Sequence, residues 1–214
     1  MERVLKQFKE GLLEQLFQEQ AIKIDLQNKF LLKGGIESPM FFDSGVLESS
    51  PNRSSIYSTF ILTLNYAYAN TDAIVGVASG GISWASSLAH SQLKPLLRAH
   101  AFPKDYGLFN QIDGEIPFDG AKVLVIDDVI TSGNSALKVV EALWKGKNGK
   151  HAEIVAFASI FDWDFPAVNR KFASAGVQKM HVVSFKDVVE FGQARGYLSA
   201  DTAKTLRQFY KAQN

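Results

Sequence analysis

Residues 123–135 read Val123-Leu124-Val125-Ile126-Asp127-Asp128-Val129-Ile130-Thr131-Ser132-Gly133-Asn134-Ser135. The stretch begins with four apolar residues, three of them β-branched, which predicts a strand buried on both faces of a parallel sheet. Two carboxylates and a Thr-Ser-Gly turn follow, and residues 136–144 then have helical spacing. We therefore expect a strand that ends at the carboxylates, a short polar loop, and a helix whose N-terminus faces that loop.

The junction between this strand and this helix is suited to an anionic ligand. Ligands of open α/β sheets bind beyond the carboxyl ends of the strands, where free backbone N–H groups and the helix dipole attract negative charge. Gly133 lets the backbone approach a phosphate, and the hydroxyl groups of the loop are further donors. Asp127 and Asp128 would repel a bare phosphate, so they suit sugar hydroxyls or a divalent cation. The stretch therefore predicts a site for a ribose phosphate with a metal ion.

A plainer interpretation of the same residues stays open at this point. Asp128 and Thr131 are residue types that cap helix N-termini, and such caps are common after ordinary strands. Under this interpretation the two side chains satisfy backbone N–H groups of the helix, and no ligand is involved.

The composition is that of a soluble globular protein, and the length is enough for one α/β domain. Of 214 residues, 46% are apolar and 21% charged, and the net charge of +1 argues against a general nucleic-acid binder. The absence of cysteine excludes disulfides and thiolate metal sites. No apolar run is long enough to span a membrane, and charged residues interrupt any signal-peptide core in residues 1–20. We therefore expect a cytoplasmic protein that binds neither membranes nor nucleic acids.

Segments of strand and helix character alternate along the chain. Residues 1–20 have amphipathic helical spacing, and short apolar runs with turns in residues 21–47 predict a small β-rich flap. Further strands are predicted at 73–78, 95–97, 152–161 and 180–183, and further helices at 51–70, at 82–89 and after Ser199. Residues 98–118 form a long polar loop of the kind that serves as a lid.

This alternation is typical of an α/β domain with a largely parallel central sheet flanked by helices. We expect a single domain over residues 1–214. Its parts are an N-terminal helix and flap over 1–47, an α/β core over 48–190 and a C-terminal helix over 191–214.

A second glycine-rich turn, at Gly80 and Gly81, follows the strand that starts at Ala73. Two glycines at a strand-to-helix turn bring bare backbone close to an anion, although many such turns contain glycine for conformational reasons alone. The spacing is neither that of a Walker A loop nor that of G-x-G-x-x-G.

Three stretches of the chain together resemble a known family. Residues 123–135 resemble the phosphoribosyl-pyrophosphate (PRPP) motif of the type I phosphoribosyltransferases. Phe30-Leu31-Leu32-Lys33-Gly34-Gly35, followed by Ser38-Pro39-Met40-Phe41-Phe42-Asp43-Ser44-Gly45, resembles the N-terminal signature of orotate phosphoribosyltransferases, and Val183-Ser184-Phe185-Lys186-Asp187-Val188 resembles their late strand-to-helix junction. The resemblance implies the type I phosphoribosyltransferase fold. It also implies transfer of a phosphoribosyl group from PRPP to orotate with Mg²⁺, giving orotidine monophosphate and pyrophosphate in de novo pyrimidine synthesis.

The resemblance also assigns roles to individual residues. Asp127 and Asp128 would hold the ribose hydroxyls and, with the lid residue Lys104, form the catalytic set. PRPP binding falls to Gly80, Gly81, Asp127, Asp128, Val129, Ile130, Thr131, Ser132, Gly133, Asn134 and Ser135. Base binding falls to Lys33, Phe41, Phe42 and Thr131. The metal would be held mainly through PRPP, with Asp127 and Asp128 as candidate protein ligands. The family further implies a homodimer whose lid reaches the neighbouring active site.

The chain departs from the family's pattern at four places. His100-Ala101 stands where the family's lid has an arginine-lysine pair, and the lid tetrad reads Lys104-Asp105-Tyr106-Gly107 rather than Lys-Asp-His-Gly. Ser79-Gly80 replaces a tyrosine-lysine pair in the pyrophosphate turn, and Trp163 replaces the arginine that binds the carboxylate of orotate. An arginine that binds a carboxylate through two hydrogen bonds is not matched by a tryptophan.

These departures leave alternatives beside an orotate enzyme. The chain could use another nitrogenous base, could be a regulator that senses PRPP, or could be an inactive paralogue that acts as a dimer partner. The retained Lys33, Phe41, Phe42 and Lys104 favour an enzyme, because a sensor of PRPP needs neither a base pocket nor a lid.

Overall fold

The structure, a computed structural model, describes residues 2–103 and 110–213. In chain order its helices and strands are α1 (Glu2–Gln18), β1 (Ile22–Ile24), β2 (Phe30–Leu31), β3 (Glu37–Ser38), β4 (Met40–Phe42), α2 (Ser44–Ser49), α3 (Arg53–Tyr68), β5 (Ala73–Val77), α4 (Gly81–Gln92), β6 (Leu96–Ala99), β7 (Ile112–Asp113), β8 (Ala121–Ile130), α5 (Asn134–Lys145), β9 (Ala152–Asp162), α6 (Pro166–Ser174), β10 (Lys179–Ser184), α7 (Phe185–Ala194) and α8 (Ala200–Lys211). The main sheet has the order β10-β9-β8-β5-β6-β7, and its strands are parallel except for the pair β6 and β7. The predicted α/β fold with a largely parallel sheet is confirmed.

The two strands that precede the predicted site turns, β5 and β8, are neighbours in the middle of this sheet. All five residues of β5 are buried, and Ala73 to Gly76 pair with Val123 to Ile126 of β8. Because neighbouring parallel strands end at the same edge of a sheet, the turns after β5 and β8 open side by side. This adjacency brings the glycine turn at 80–81 beside the loop at 131–135.

Strand β8 is longer than the sequence predicts. It continues through both carboxylates to Ile130, because β9 pairs with it along this whole stretch, from Asp127 opposite Ser159 to Ile130 opposite Asp162. The expectation that the strand ends at the carboxylates was therefore wrong. Asp127 and Asp128 are held by the backbone pairing of the sheet rather than by a loop.

The N-terminal flap consists of two small antiparallel pairs, β1 with β4 and β2 with β3. The turn between β2 and β3 contains Gly34 and Gly35 with φ of 91° and 81°, a region that glycine enters without steric penalty. The predicted β-rich flap is present, and a short helix that the sequence did not predict, α2, follows it directly. The flap places the Lys33 turn and the start of α2 above the ends of β5 and β8.

The predicted lid loop at 98–118 is partly strand. Strand β6 extends to Ala99, and Ile112 and Asp113 pair with it as the antiparallel strand β7. The expectation of one continuous loop was therefore wrong at 98–99 and at 112–113, because the pairing of β6 with β7 orders these residues. The lid residues Lys104, Asp105, Tyr106 and Gly107 lie outside the described residues.

The C-terminal helix covers an aromatic cluster at the end of β9. Ser199 caps α8 as the sequence predicts, its Oγ accepting the N–H of Thr202 at 3.0 Å. Phe209 and Tyr210 of α8 then pack on Phe165 and Phe185. Among the helices of the described ranges, none combines the length and the apolar character that a membrane crossing requires.

Candidate active site

Three adjoining cavities open where β5 and β8 end, and Lys33 borders all of them. The aromatic cavity has a volume of about 170 Å³ and is lined by residues that include Phe41, Phe42, Asp43, Thr131 and Trp163. The loop cavity is narrow and is lined mainly by residues 129–136. The glycine cavity has a volume of about 410 Å³ and is lined by residues that include Ser44, Glu48, Ser79, Gly80 and Ala101.

The two carboxylates of β8 lie where these cavities meet. Asp127 borders the loop and glycine cavities, and Asp128 borders the aromatic and glycine cavities. Each carboxylate accepts the next backbone N–H, from Asp128 to Asp127 Oδ1 and from Val129 to Asp128 Oδ1, both at 2.9 Å. Ser44 Oγ donates to Asp128 Oδ2 at 2.5 Å. The carboxylates are therefore fixed before a ligand arrives.

Burial raises the pKa of Asp127 well above its usual 3.8, and the neighbouring carboxylate of Asp128 raises it further, while Lys33 acts in the opposite direction. The folded protein therefore binds this proton more tightly than the unfolded chain does. By linkage, the contribution of Asp127 to stability falls as the pH rises from 3.8 through the raised pKa, and above that window the buried charge is a cost. At neutral pH the carboxyl group of Asp127 therefore lowers the stability of the folded protein.

The variant Asp127→Asn is expected to be more stable than the wild type at neutral pH. It replaces the titrating carboxyl group by a neutral amide, whose oxygen still accepts the N–H of Asp128, so the gain is on the order of 1 kcal/mol. This corresponds to a rise of about 2–4 °C in Tm for a chain of this size. Thermal unfolding at several pH values checks this, and the gain should shrink as the pH falls toward 3.8. A variant less stable than the wild type at neutral pH would contradict the account.

The two glycines of the second turn have different surroundings. Gly80 borders the glycine cavity, and a Cβ atom there would meet the carboxylate of Asp128. Gly81 is the buried first residue of α4, and a Cβ atom there would meet the main chain of Ile126 and Asp127. Gly80 thus leaves room for the carboxylate of Asp128, whereas Gly81 lets α4 pack against β8.

The loop at 131–135 leads into α5 without a side-chain cap. The N-cap residue of α5 is Gly133, with φ of 73°, and no side-chain hydrogen bond caps this helix in the described structure. The interpretation of Asp128 and Thr131 as caps of α5 was therefore wrong. Asp128 contacts Ser44 and Val129 instead, and the N-terminus of α5 faces the loop cavity as an anion site would require.

All four residues predicted to bind a base line the aromatic cavity: Lys33, Phe41, Phe42 and Thr131. Phe41 is 36% exposed, whereas Phe42 is buried and stacks on Phe161 with ring centroids 4.8 Å apart. Trp163, which stands where the family has an arginine, is 1% exposed and also borders this cavity. Lys33 is the basic residue among the described lining of the cavity.

The side chains at the start of the predicted lid loop contact β7. His100 Nε2 lies 3.1 Å from Asp113 Oδ2, and Arg98 lies 3.7 Å from the same oxygen. Both side chains therefore meet β7, and Ala101 is the residue of this segment that borders the glycine cavity. Lys104 was predicted to be the lid cation and lies outside the part of the chain that the structure describes.

Sequence reasoning missed two residues at the site. Ser44 binds Asp128, and Glu48 borders the glycine cavity and accepts a hydrogen bond from Ser83. Both belong to α2, a helix that the predicted boundary between the flap (1–47) and the core (48–190) divides. The signal that could have identified Ser44 is the sequence Asp43-Ser44-Gly45 at the start of α2. A hydroxyl group next to an acidic residue at the start of a helix often takes part in a hydrogen bond with another polar side chain.

A separate group of metal-ligand residue types, Asp162, Asp164 and His181, has donor atoms within 4.8 Å of one another. Lys179 forms ion pairs with both carboxylates, at 3.1 Å for Asp164. Burial would raise the pKa of Asp162, but His181 and Lys179 outweigh it and hold the pKa below the usual value. The ammonium group of Lys179 thus occupies the position that a metal ion would need. Asp162, Asp164, Lys179 and His181 form an ion-pair network.

Comparison with known proteins adds to this geometry. A family model described as a phosphoribosyl transferase domain matches residues 59–198. The protein named orotate phosphoribosyltransferase from Streptococcus pneumoniae is 28% identical over 199 residues, 92% of each chain. The crystal structure of orotate phosphoribosyltransferase from Aeropyrum pernix matches with a TM-score of 0.69 and 27% identity, covering 84% of this chain and 97% of that chain. The family match includes both strand-to-helix turns of the site.

A third match extends the likeness of fold. The structure of UMP synthase from Leishmania donovani matches with a TM-score of 0.78 and 19% identity over 95% of this chain. The match covers 42% of that chain, so this chain spans less than half of its length.

Proposed function

This chain belongs to the phosphoribosyl transferase domain family, and we propose that it transfers the phosphoribosyl group of PRPP to orotate, giving orotidine monophosphate and pyrophosphate. The observation that carries the proposal is the meeting of three cavities at Asp127, Asp128 and Lys33. Each cavity suits one part of the two substrates. The relatives named orotate phosphoribosyltransferase, similar over most of their length, support orotate as the base.

The cavities define a binding arrangement for the substrates. The 5-phosphate of PRPP fits the loop cavity, where the N-terminus of α5 and the loop hydroxyls are donors. The ribose lies at Asp127 and Asp128, whose carboxylates accept hydrogen bonds from its hydroxyls. The pyrophosphate enters the glycine cavity, and the base lies in the aromatic cavity between Phe41 and Trp163.

This arrangement supports displacement at the anomeric carbon. A base nitrogen gives up its proton to solvent and forms a bond to that carbon, while the bond from the carbon to the pyrophosphate oxygen breaks. Positive charge therefore develops on the ribose and negative charge on the leaving group. The carboxylates of Asp127 and Asp128 are fixed by hydrogen bonds and stabilise the positive ribose without reorganising. The chain's contribution is therefore electrostatic and positional.

The donor chemistry of the site fits magnesium. Mg²⁺ prefers oxygen ligands and is held by one or two carboxylates together with substrate phosphates. Asp128 Oδ2 already accepts a hydrogen bond from Ser44, and Asp127 Oδ1 accepts the backbone N–H of Asp128, so the phosphates of PRPP would supply most of the ligands. The metal would neutralise the departing pyrophosphate.

We also propose, from the resemblance, a cytoplasmic homodimer in which Lys104 of one subunit closes over the site of the other. Mixing Lys104→Ala with Asp127→Asn tests this, because each variant alone lacks one part of the site. Mixed dimers regain activity if the lid acts across subunits. No recovery after subunit exchange would show that each lid serves its own site.

The base assignment is tested by measuring pyrophosphate release from PRPP and Mg²⁺ with orotate, uracil, hypoxanthine, guanine or adenine. We expect turnover with orotate. Turnover with another base alone would keep the reaction and change the substrate. No pyrophosphate release with any base, while PRPP still binds, would instead favour a regulator or an inactive paralogue.

A further inference from the structure

Helix α6 packs against the outer side of the loop at 131–135. A Cβ atom on Gly133 would lie 3.0 Å from Val168 Cγ1 and 3.5 Å from Phe172 Cε2. Val168 and Phe172 are buried and four residues apart, so they lie on the same face of α6. The loop backbone therefore rests directly on this face.

Lys171 lies beside this contact and binds the loop twice. Its Nζ donates to the backbone oxygen of Ser132 at 3.1 Å and to Oδ1 of Asn134 at 2.9 Å. The C=O and N–H groups of a trans peptide unit point in opposite directions. Because the oxygen of Ser132 points to Lys171, the N–H of Gly133 in the same peptide unit points away from α6.

We propose that Lys171 is a positioning residue for the phosphate subsite. It fixes the Ser132–Gly133 peptide so that an N–H faces the anion, and it holds the Asn134 side chain at the outer side of the loop. Its positive charge behind the loop adds to the field of the α5 N-terminus. The identity of the anion as the 5-phosphate of PRPP rests on the proposed function.

The variant Lys171→Ala tests this role, with Lys171→Arg as the conservative exchange and Arg170→Ala as the matched control. Arg170 carries the same charge one residue earlier, about 100° around the same helix. For Lys171→Ala we expect the KM for PRPP to rise about fivefold with kcat almost unchanged, as for the loss of an exposed charge-assisted contact. Lys171→Arg should restore most of the affinity, and Arg170→Ala should resemble the wild type.

Ligand binding by calorimetry separates positioning from a general structural effect. The affinity of Lys171→Ala for ribose 5-phosphate should fall by the same factor, while its affinity for pyrophosphate, which occupies the glycine cavity, should not change. Unchanged ribose 5-phosphate affinity, equal losses for both ligands, or equal losses in Arg170→Ala would overturn the proposal. If the wild type binds ribose 5-phosphate more tightly than Lys171→Ala but makes no orotidine monophosphate, the positioning role stands and the proposed function fails.

Discussion

The double variant Asp127→Asn/Asp128→Asn is expected to lose PRPP binding while remaining folded. Each substitution replaces a charged acceptor of a ribose hydroxyl by a neutral amide, and a hydrogen bond to a charged group contributes about 1.5–3 kcal/mol. Losing both lowers the affinity for PRPP by about a hundredfold or more. Isothermal titration with PRPP and Mg²⁺ measures the affinity, and thermal unfolding measures the fold.

The fold should survive because the local hydrogen bonds survive. In the variant, the amide oxygens of the two asparagines still accept the backbone N–H groups of residues 128 and 129, which the carboxylates accept in the wild type. Asp119→Asn/Glu153→Gln is a matched control, since it removes two exposed charges where β8 and β9 begin, at the opposite edge of the sheet. Unchanged PRPP affinity in the site variant would refute the assignment of the carboxylates.

Substitution Gly80→Ala is expected to lower turnover by about tenfold to a hundredfold, because a displacement of about 1 Å in a reacting group has an effect of this size. The new Cβ meets the carboxylate of Asp128, which must move and lose its hydrogen bond from Ser44. Gly80 has a φ of −63°, which alanine adopts without strain, so the fold should persist. Steady-state kinetics and circular dichroism check both statements.

Two further glycines provide the comparison. Gly81→Ala should reduce the yield of folded protein, because its Cβ meets the main chain of Ile126. Gly11→Ala lies in open space within α1 and should leave turnover unchanged while adding about 0.5–1 kcal/mol of stability. Wild-type turnover in Gly80→Ala would show that the close approach of Asp128 to this turn has no role.

The parts of the site that could be predicted from the sequence are local. Residues 131–135 and Gly80 carry their signal in adjacent residues, since an apolar strand, a small polar turn and a helical spacing are consecutive in the chain. Their placement side by side follows from the pairing of β5 with β8. A parallel sheet was predicted from the alternation of strands and helices, and the structure confirms it.

The contacts that could not be predicted join distant parts of the chain. Ser44 and Asp128 are 84 positions apart, and Lys171 and Ser132 are 39 apart. The extension of β8 through Asp127 depends on the length of β9, and the pairing of His100 with Asp113 depends on the register of β7. Sequence periodicity describes which face of an element is apolar, but it does not fix register or which side chains meet across elements.

The aromatic cavity could be predicted from the sequence only in part. Phe41 and Phe42 were predicted from a resemblance of consecutive residues, and both line the cavity. Trp163 packs against Phe161 and Phe185 with ring centroids 5.5 and 5.4 Å apart. Trp163 also borders the cavity because the end of β9 faces the flap, and no local sequence pattern encodes that arrangement.

The measurement that tests the central claim most directly is the product analysis of orotate, PRPP and Mg²⁺ incubated with the wild-type chain. Chromatography with mass detection identifies and quantifies what is formed, and the Asp127→Asn/Asp128→Asn variant is run in parallel. The account predicts equal amounts of orotidine monophosphate and pyrophosphate from the wild type and neither from the variant. Unchanged PRPP and orotate with the wild type, or equal product with both proteins, would contradict it.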